Sequence, residues 1–65
     1  MSQTKKPTCQ LIGIDGNVFN IIGRVSSTLR NAGLQAEARD FASRAMKAQN
    51  YNAVLALCGE YVEII

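Results

Sequence analysis

The apolar residues of this chain change their period at Asp15-Gly16-Asn17, and that change constrains the fold more than any other feature. Before it, "CQLIGI" (9–14) is a short aliphatic run ended by turn-forming residues, which reads as a strand. After it, from Val18, apolar residues recur at three- and four-residue steps, the period of a helix. A chain that switches at one point from strand to helix belongs to a mixed class. With 65 residues there is room for one domain, whose core has little area to spare.

The helical part divides in three. Residues 17–32 place Val18, Ile22, Val25 and Leu29 on one face, with Ile21 and Ala32 beside them. Asp15 or Asn17 can accept from the free amides of the first turn, and Gly33 is suited to a left-handed stop. Residues 35–49 carry a narrow stripe of Leu34, Ala38, Phe41, Ala45 and Ala48. Residues 51–59 form a third helix, capped by Asn50 and ended by Gly59. Tyr51, Val54, Leu55 and Cys58 share its main face, while Ala53 and Leu57 lie on another side. "EYVEII" (60–65) then alternates charged and apolar residues and reads as a second strand. The expected fold is therefore α+β: a three-helix domain with a short strand at each end (β-α-α-α-β), the two strands forming a small sheet. Residues 1–8, polar and containing Pro7, are expected to be a flexible tail, and residues 9–65 a single compact domain.

The third helix carries an implication beyond its fold. A helix apolar nearly all round needs cover on more than one side, and a two-stranded sheet has two open edges. Both point to self-association, a dimer before any larger assembly. Gly23 has a related meaning. Glycine inside a helix costs about 1 kcal/mol against alanine, and here it shares a flank with Phe19, Ser26 and Arg30. Together these features give an expected protein-interaction surface of Phe19, Gly23, Arg30, Ala53 and Leu57, with Met46 at the edge of the second helix as core margin or partner surface.

The loop "GIDGN" invites comparison with a phosphate cradle, and its spacing answers against one. A nucleotide loop needs Lys-Ser/Thr after its second glycine, and a dinucleotide loop needs G-x-G-x-x-G. Gly13, Asp15, Gly16 and Asn17 fit neither, and the Asp15 carboxylate would repel an anion. The same carboxylate suits a helix start, so Asp15, Gly16, Asn17 and Gly33 read as turn and cap residues. A small anionic ligand or nucleotide at the Asp15 loop stands as a second alternative. A calcium loop fails because Phe19 and Ser26 occupy its fifth and twelfth positions.

Catalysis finds little support. There is no histidine, which removes the commonest general base and zinc ligand. The five acids are scattered singly, so neither a cofactor nor a metal is expected, and the protein is read as not an enzyme. Cys9 and Cys58 read as small buried hydrophobes rather than a disulfide. The net charge of +2 does not by itself declare a nucleic-acid or membrane partner. The alternative function is DNA or RNA binding by a helix-turn-helix-like pair. Arg39, Ser43 and Lys47 share the solvent side of the second helix, with Lys5 and Lys6 in the tail. Against it, Asp40 is read as sharing that side and Arg44 as turned toward Glu37, so an ordinary solvated face is the simpler reading. No apolar run is long enough to span a membrane, and no secretory leader is visible. The expected location is the cytoplasm.

The runs "DGNVFNIIGRVSSTLRNAG" and "FASRAMKAQNYNAVLALCGEYVEI" resemble a family of small bacterial and phage or mobile-element proteins to which no activity is attached. The residues that carry the resemblance are Asp15, Gly16, Asn17, Phe19, Gly23, Arg24, Val25, Phe41, Tyr51, Tyr61 and Val62. It implies a bacterial or mobile-element setting and no catalytic residue; the function expected is that of an accessory or regulatory factor that binds itself and another protein.

Overall fold

In the computed structural model, which describes residues 6–11 and 17–65, the chain runs β1 (Thr8–Cys9), α1 (Val18–Asn31), α2 (Gln35–Met46), α3 (Tyr51–Tyr61) and β2 (Glu63–Ile64). This is the α+β order expected from the change of period, with both strands in one sheet. They pair in parallel, Thr8 opposite Glu63 and Cys9 opposite Ile64. Parallel pairing follows from the path, because the three helices carry the chain back to the same end of the sheet. The Glu63 amide donates to the Pro7 carbonyl at 2.8 Å, the Ile65 amide to Cys9 at 3.0 Å, and the Leu11 amide to Ile65 at 2.9 Å.

Several boundaries differ from the sequence reading: residues 10–11 lie outside β1, and α2 ends at Met46 rather than at 49. Thr8 belongs to the sheet, and Lys6 donates from Nζ to the Gly59 carbonyl at 2.9 Å, so the sheet draws in residues 6–8 of the expected tail. Gly59 does not end α3. It has no left-handed backbone; Gly33, at φ +82°, is the only such residue described. The helix continues to Tyr61, the Val62 amide bonds the Cys58 carbonyl at 2.9 Å, and the Ile64 side chain lies 4.0 Å from where a Gly59 Cβ would stand. Packing at the helix end outweighs the glycine's propensity, and the strand is left with two residues instead of six.

The starts of α1 and α3 and the end of α1 match their sequence signals. Asn17 Oδ1 accepts from the Phe19 amide at 2.8 Å, and Asn50 Oδ1 accepts from the Ala53 amide at 2.8 Å. After α1, the Gly33 amide bonds Arg30 O at 3.0 Å and the Leu34 amide bonds Leu29 O at 2.9 Å. This is the paired closure that a left-handed glycine makes possible. It brings α2 back along α1.

Phe41 is fully buried where the three helices meet, among Ile21, Val25, Leu29, Cys58 and Val62. The alanines at 38 and 45 are buried too, which lets the other helices close around that ring. Leu57 corrects the sequence reading. It is only 8% exposed and sits in the same core, so it leaves the expected interaction surface. The chain covers α3 on that side by itself, and the argument that α3 needs a partner to cover it loses its large residue. Ala53 remains exposed.

Candidate functional site

Helix α1 begins where α2 ends and α3 begins, and the three ends enclose an apolar groove of about 310 Å³. Val18, Ile22, Ala45 and Val54 help to line it. Three large side chains stand at its margin and face solvent: Phe19 (65% exposed), Met46 (64%) and Tyr51 (43%). Gln49 and Asn50 supply its polar border, and no charged side chain lines it. Water against these side chains costs about 25 cal/mol for each Å² that a partner could cover.

The sequence signals locate parts of this groove. Phe19, expected on the flank of the first helix, stands exposed at the margin of the groove. Met46, open between two readings, belongs to the exposed margin. Tyr51 was expected on the main face of α3 and is instead nearly half exposed. Helical spacing places it on the stripe, but the first turn of α3 reaches past the core. Gly23 is exposed, and a Cβ built on it meets nothing within 4 Å. No described element of this chain therefore needs the glycine for close approach. Ser26, on the same flank, is buried with no hydrogen-bond partner for its hydroxyl among the described residues, a costly state for a polar atom.

At the other end of the α1–α2 pair the chemistry changes. Arg30 of α1 and Arg39 of α2 line one concavity of about 400 Å³, together with Gln35, Ala38 and Ala42. Arg30 donates to Ser27 Oγ at 3.3 Å. No acid lines this concavity, and the reason lies on the far side of α2. The Tyr61 hydroxyl donates to Asp40 Oδ2 and accepts from Arg44 Nη1 at 2.9 Å. Arg44 also meets Glu60 Oε1 at 3.4 Å and lies 5.8 Å from the Tyr61 ring centre. Glu37 lines a cleft with Lys6, Glu60 and Tyr61. These contacts correct two sequence readings: Asp40 is committed to α3, and Arg44 turns to Tyr61 and Glu60 rather than to Glu37. Burial first, and then the bond to Asp40, raise the Tyr61 pKa, while Arg44 opposes the rise.

Of the residues considered for nucleic acid, Arg39, Ser43 and Lys47 are all exposed. Lys6 is held at the α3 side by its bond to Gly59, away from them. Lys5, Asp15 and Gly16 lie outside the described residues. Cys9 and Cys58 are free and buried. No Cα of β1 comes within 8 Å of one in α3, beyond the roughly 7 Å that a disulfide bridges. Thr28 Oγ1 donates to Cys9 Sγ at 3.4 Å. Burial, with Cys9 adding to it, pushes the Cys58 thiol up to about 11, which leaves it inert at neutral pH. Among the described residues no group of three or more acids or cysteines is placed to hold a metal ion, and no helix is long and apolar enough to cross a membrane. No family model, curated protein or solved structure matches the chain.

Proposed function

We propose that this is a small non-enzymatic interaction protein that associates with itself and binds another protein. The observation that carries the reading is the groove at the joined helix ends. Phe19, Met46 and Tyr51 stand exposed around an apolar floor with no charge to solvate it, and contiguous apolar area of this kind marks contact surfaces. Gly23 and Arg30 extend the surface along α1, and Ala53 lies exposed on α3. The resemblance of the sequence supports a bacterial or mobile-element accessory factor working in the cytoplasm. Light scattering across a concentration series tests the self-association. A dimer that Met46→Asp returns to monomer is expected, and a wild-type monomer at high micromolar concentration removes this part of the proposal.

A second reading, DNA or RNA binding, draws on one observation: Arg30 and Arg39 share a concavity that no acid lines. Arg39, Ser43 and Lys47 would then follow the phosphate backbone, with binding that weakens steeply as salt rises. Gel shifts with short duplex and single-stranded probes at low salt test it, and no shift there discards it. A ligand at the Asp15 loop gains no support, because that loop lies outside the described residues.

A further inference from the structure

The α1–α2 pair presents one seam with two unlike ends. Phe19 and Met46 flank its apolar end, and Arg30 and Arg39 flank its cationic end. At 1.5 Å per residue, Phe19 and Arg30 are about 16 Å apart along α1. Between them the seam is shallow, because Gly23 has no side chain and Ala42 has a small one. Its occupant must therefore carry negative charge and apolar bulk side by side.

The chain itself contains such a segment. Glu63 is exposed, and Arg44–Glu60 is the only ion pair among the described residues, so Glu63 has no ionic partner among them. Beside it Ile64 (37%) and Ile65 (57%) are also exposed. The amides of Glu63 and Ile65 point to β1. The Ile64 amide, between them in an extended strand, therefore points away from β1, along an edge that no other described strand covers.

We infer that the seam receives the β2 end of a second copy of this chain, the Glu63 carboxylate between Arg30 and Arg39 and Ile65, which shares its face of the strand, toward Met46. The inference rests on the self-association proposed above and names the surfaces that meet. Charge decides the pairing. Seam against seam would bring four arginines together with no acid among them, and strand edge against strand edge would join two segments that each carry the Glu63 carboxylate. Seam against strand matches opposite charge to opposite charge and apolar to apolar. One seam of this length falls well short of the ~800 Å² per partner of a stable interface. A reciprocal exchange, in which each copy gives a strand and receives one, doubles the contact and closes the assembly as a dimer.

Sedimentation equilibrium of the full chain tests this with two charge reversals, each checked for native helix content by circular dichroism. Arg30→Glu with Arg39→Glu reverses the seam, and Glu63→Lys reverses the strand. Each variant alone should associate at least tenfold more weakly than wild type. An equimolar mixture of the two should recover association, because the reversed seam now meets a lysine and the native seam still meets a glutamate. Wild-type association should also weaken as salt rises. Three results would overturn the inference. Association that neither reversal moves, or a mixture that fails to recover, removes this pairing and leaves self-association standing. A wild-type protein that stays monomeric removes both. If that monomer also binds a duplex DNA probe that the doubly reversed seam does not, the seam belongs to nucleic acid instead.

Discussion

The two flanks of α2 are built from similar residues and end in different states. On the α3 side, Asp40 and Arg44 converge on the Tyr61 hydroxyl, and Phe41 meets the Tyr61 ring edge-on at 5.4 Å. On the α1 side, Gln35 and Arg39 lie open along a shallow seam, and Met46 stands at its far end. The difference comes from the neighbouring helix. The last residue of α3 is a large aromatic with a polar tip, able to bury its ring and bond both charges. The facing flank of α1 offers Gly23, which reaches nothing. One flank is closed by the chain, and the other stays open among the described residues.

The contrast breaks most visibly at Phe41. Truncating so large a core side chain costs about 3–5 kcal/mol, against the roughly 3–10 kcal/mol that 65 residues can hold. Phe41→Ala should lose most of its cooperative thermal unfolding by circular dichroism. A melting point within a few degrees of wild type would mean that the closed flank does not depend on this ring.

A smaller effect should appear with pH. The Cys58 pKa is raised from 9.0 to about 11, so the folded state holds its proton where the unfolded chain has lost it. The stabilisation is complete below pH 9 and falls away between pH 9 and 11, by about 2–3 kcal/mol. Tyr61, also raised, acts in the same direction at higher pH. Cys58→Ala should flatten the fall in melting temperature across that window while lowering the starting value. An unchanged slope would assign the fall elsewhere.

Tyr61→Phe keeps the ring contact and removes the hydroxyl that joins Asp40 to Arg44. The bonds lie at the surface, so a loss of about 1 kcal/mol is expected in urea unfolding. A neutral result would show that water serves Asp40 and Arg44 as well as Tyr61 does.

The last test concerns the open flank and should reverse the sign. Gly23→Ala adds a Cβ that meets nothing and relieves a helix interior of glycine, so the dilute protein should gain about 0.5–1 kcal/mol. Destabilisation instead would mean that some part of this chain lies against Gly23 in solution.

Much of the architecture was legible in the sequence, because periodicity and capping are local. The three helices, the Asn17 and Asn50 caps and the Gly33 stop follow from neighbours within a few residues. The end of α3 was not legible. Gly59 signals a stop, and only the contacts of Tyr61, Val62 and Ile64 with distant elements carry the helix past it. The exposed groove behind the proposed interaction was legible in part. Phe19, Arg30 and the question over Met46 came from their position beside the stripes. Leu57 misled because an apolar residue off the main face looks exposed until a neighbour covers it. Tyr51 was missed because helical spacing locates a face but not how far the core beneath it extends.

The sequence by itself determined the order of elements, the places where α1 begins and stops, and the aromatic centre of the core at Phe41. Those depend on backbone propensity and on which side chains shun water, and both are properties of short segments. Only the tertiary structure decided which charges are used and which are left. Asp40, Arg44 and Glu60 are gathered around Tyr61, whereas Arg30 and Arg39 share a face that no acid lines. A charged side chain's partner is set by the residues brought within a few ångströms of it. Here those partners come from a different helix, sixteen to twenty-one residues away along the chain.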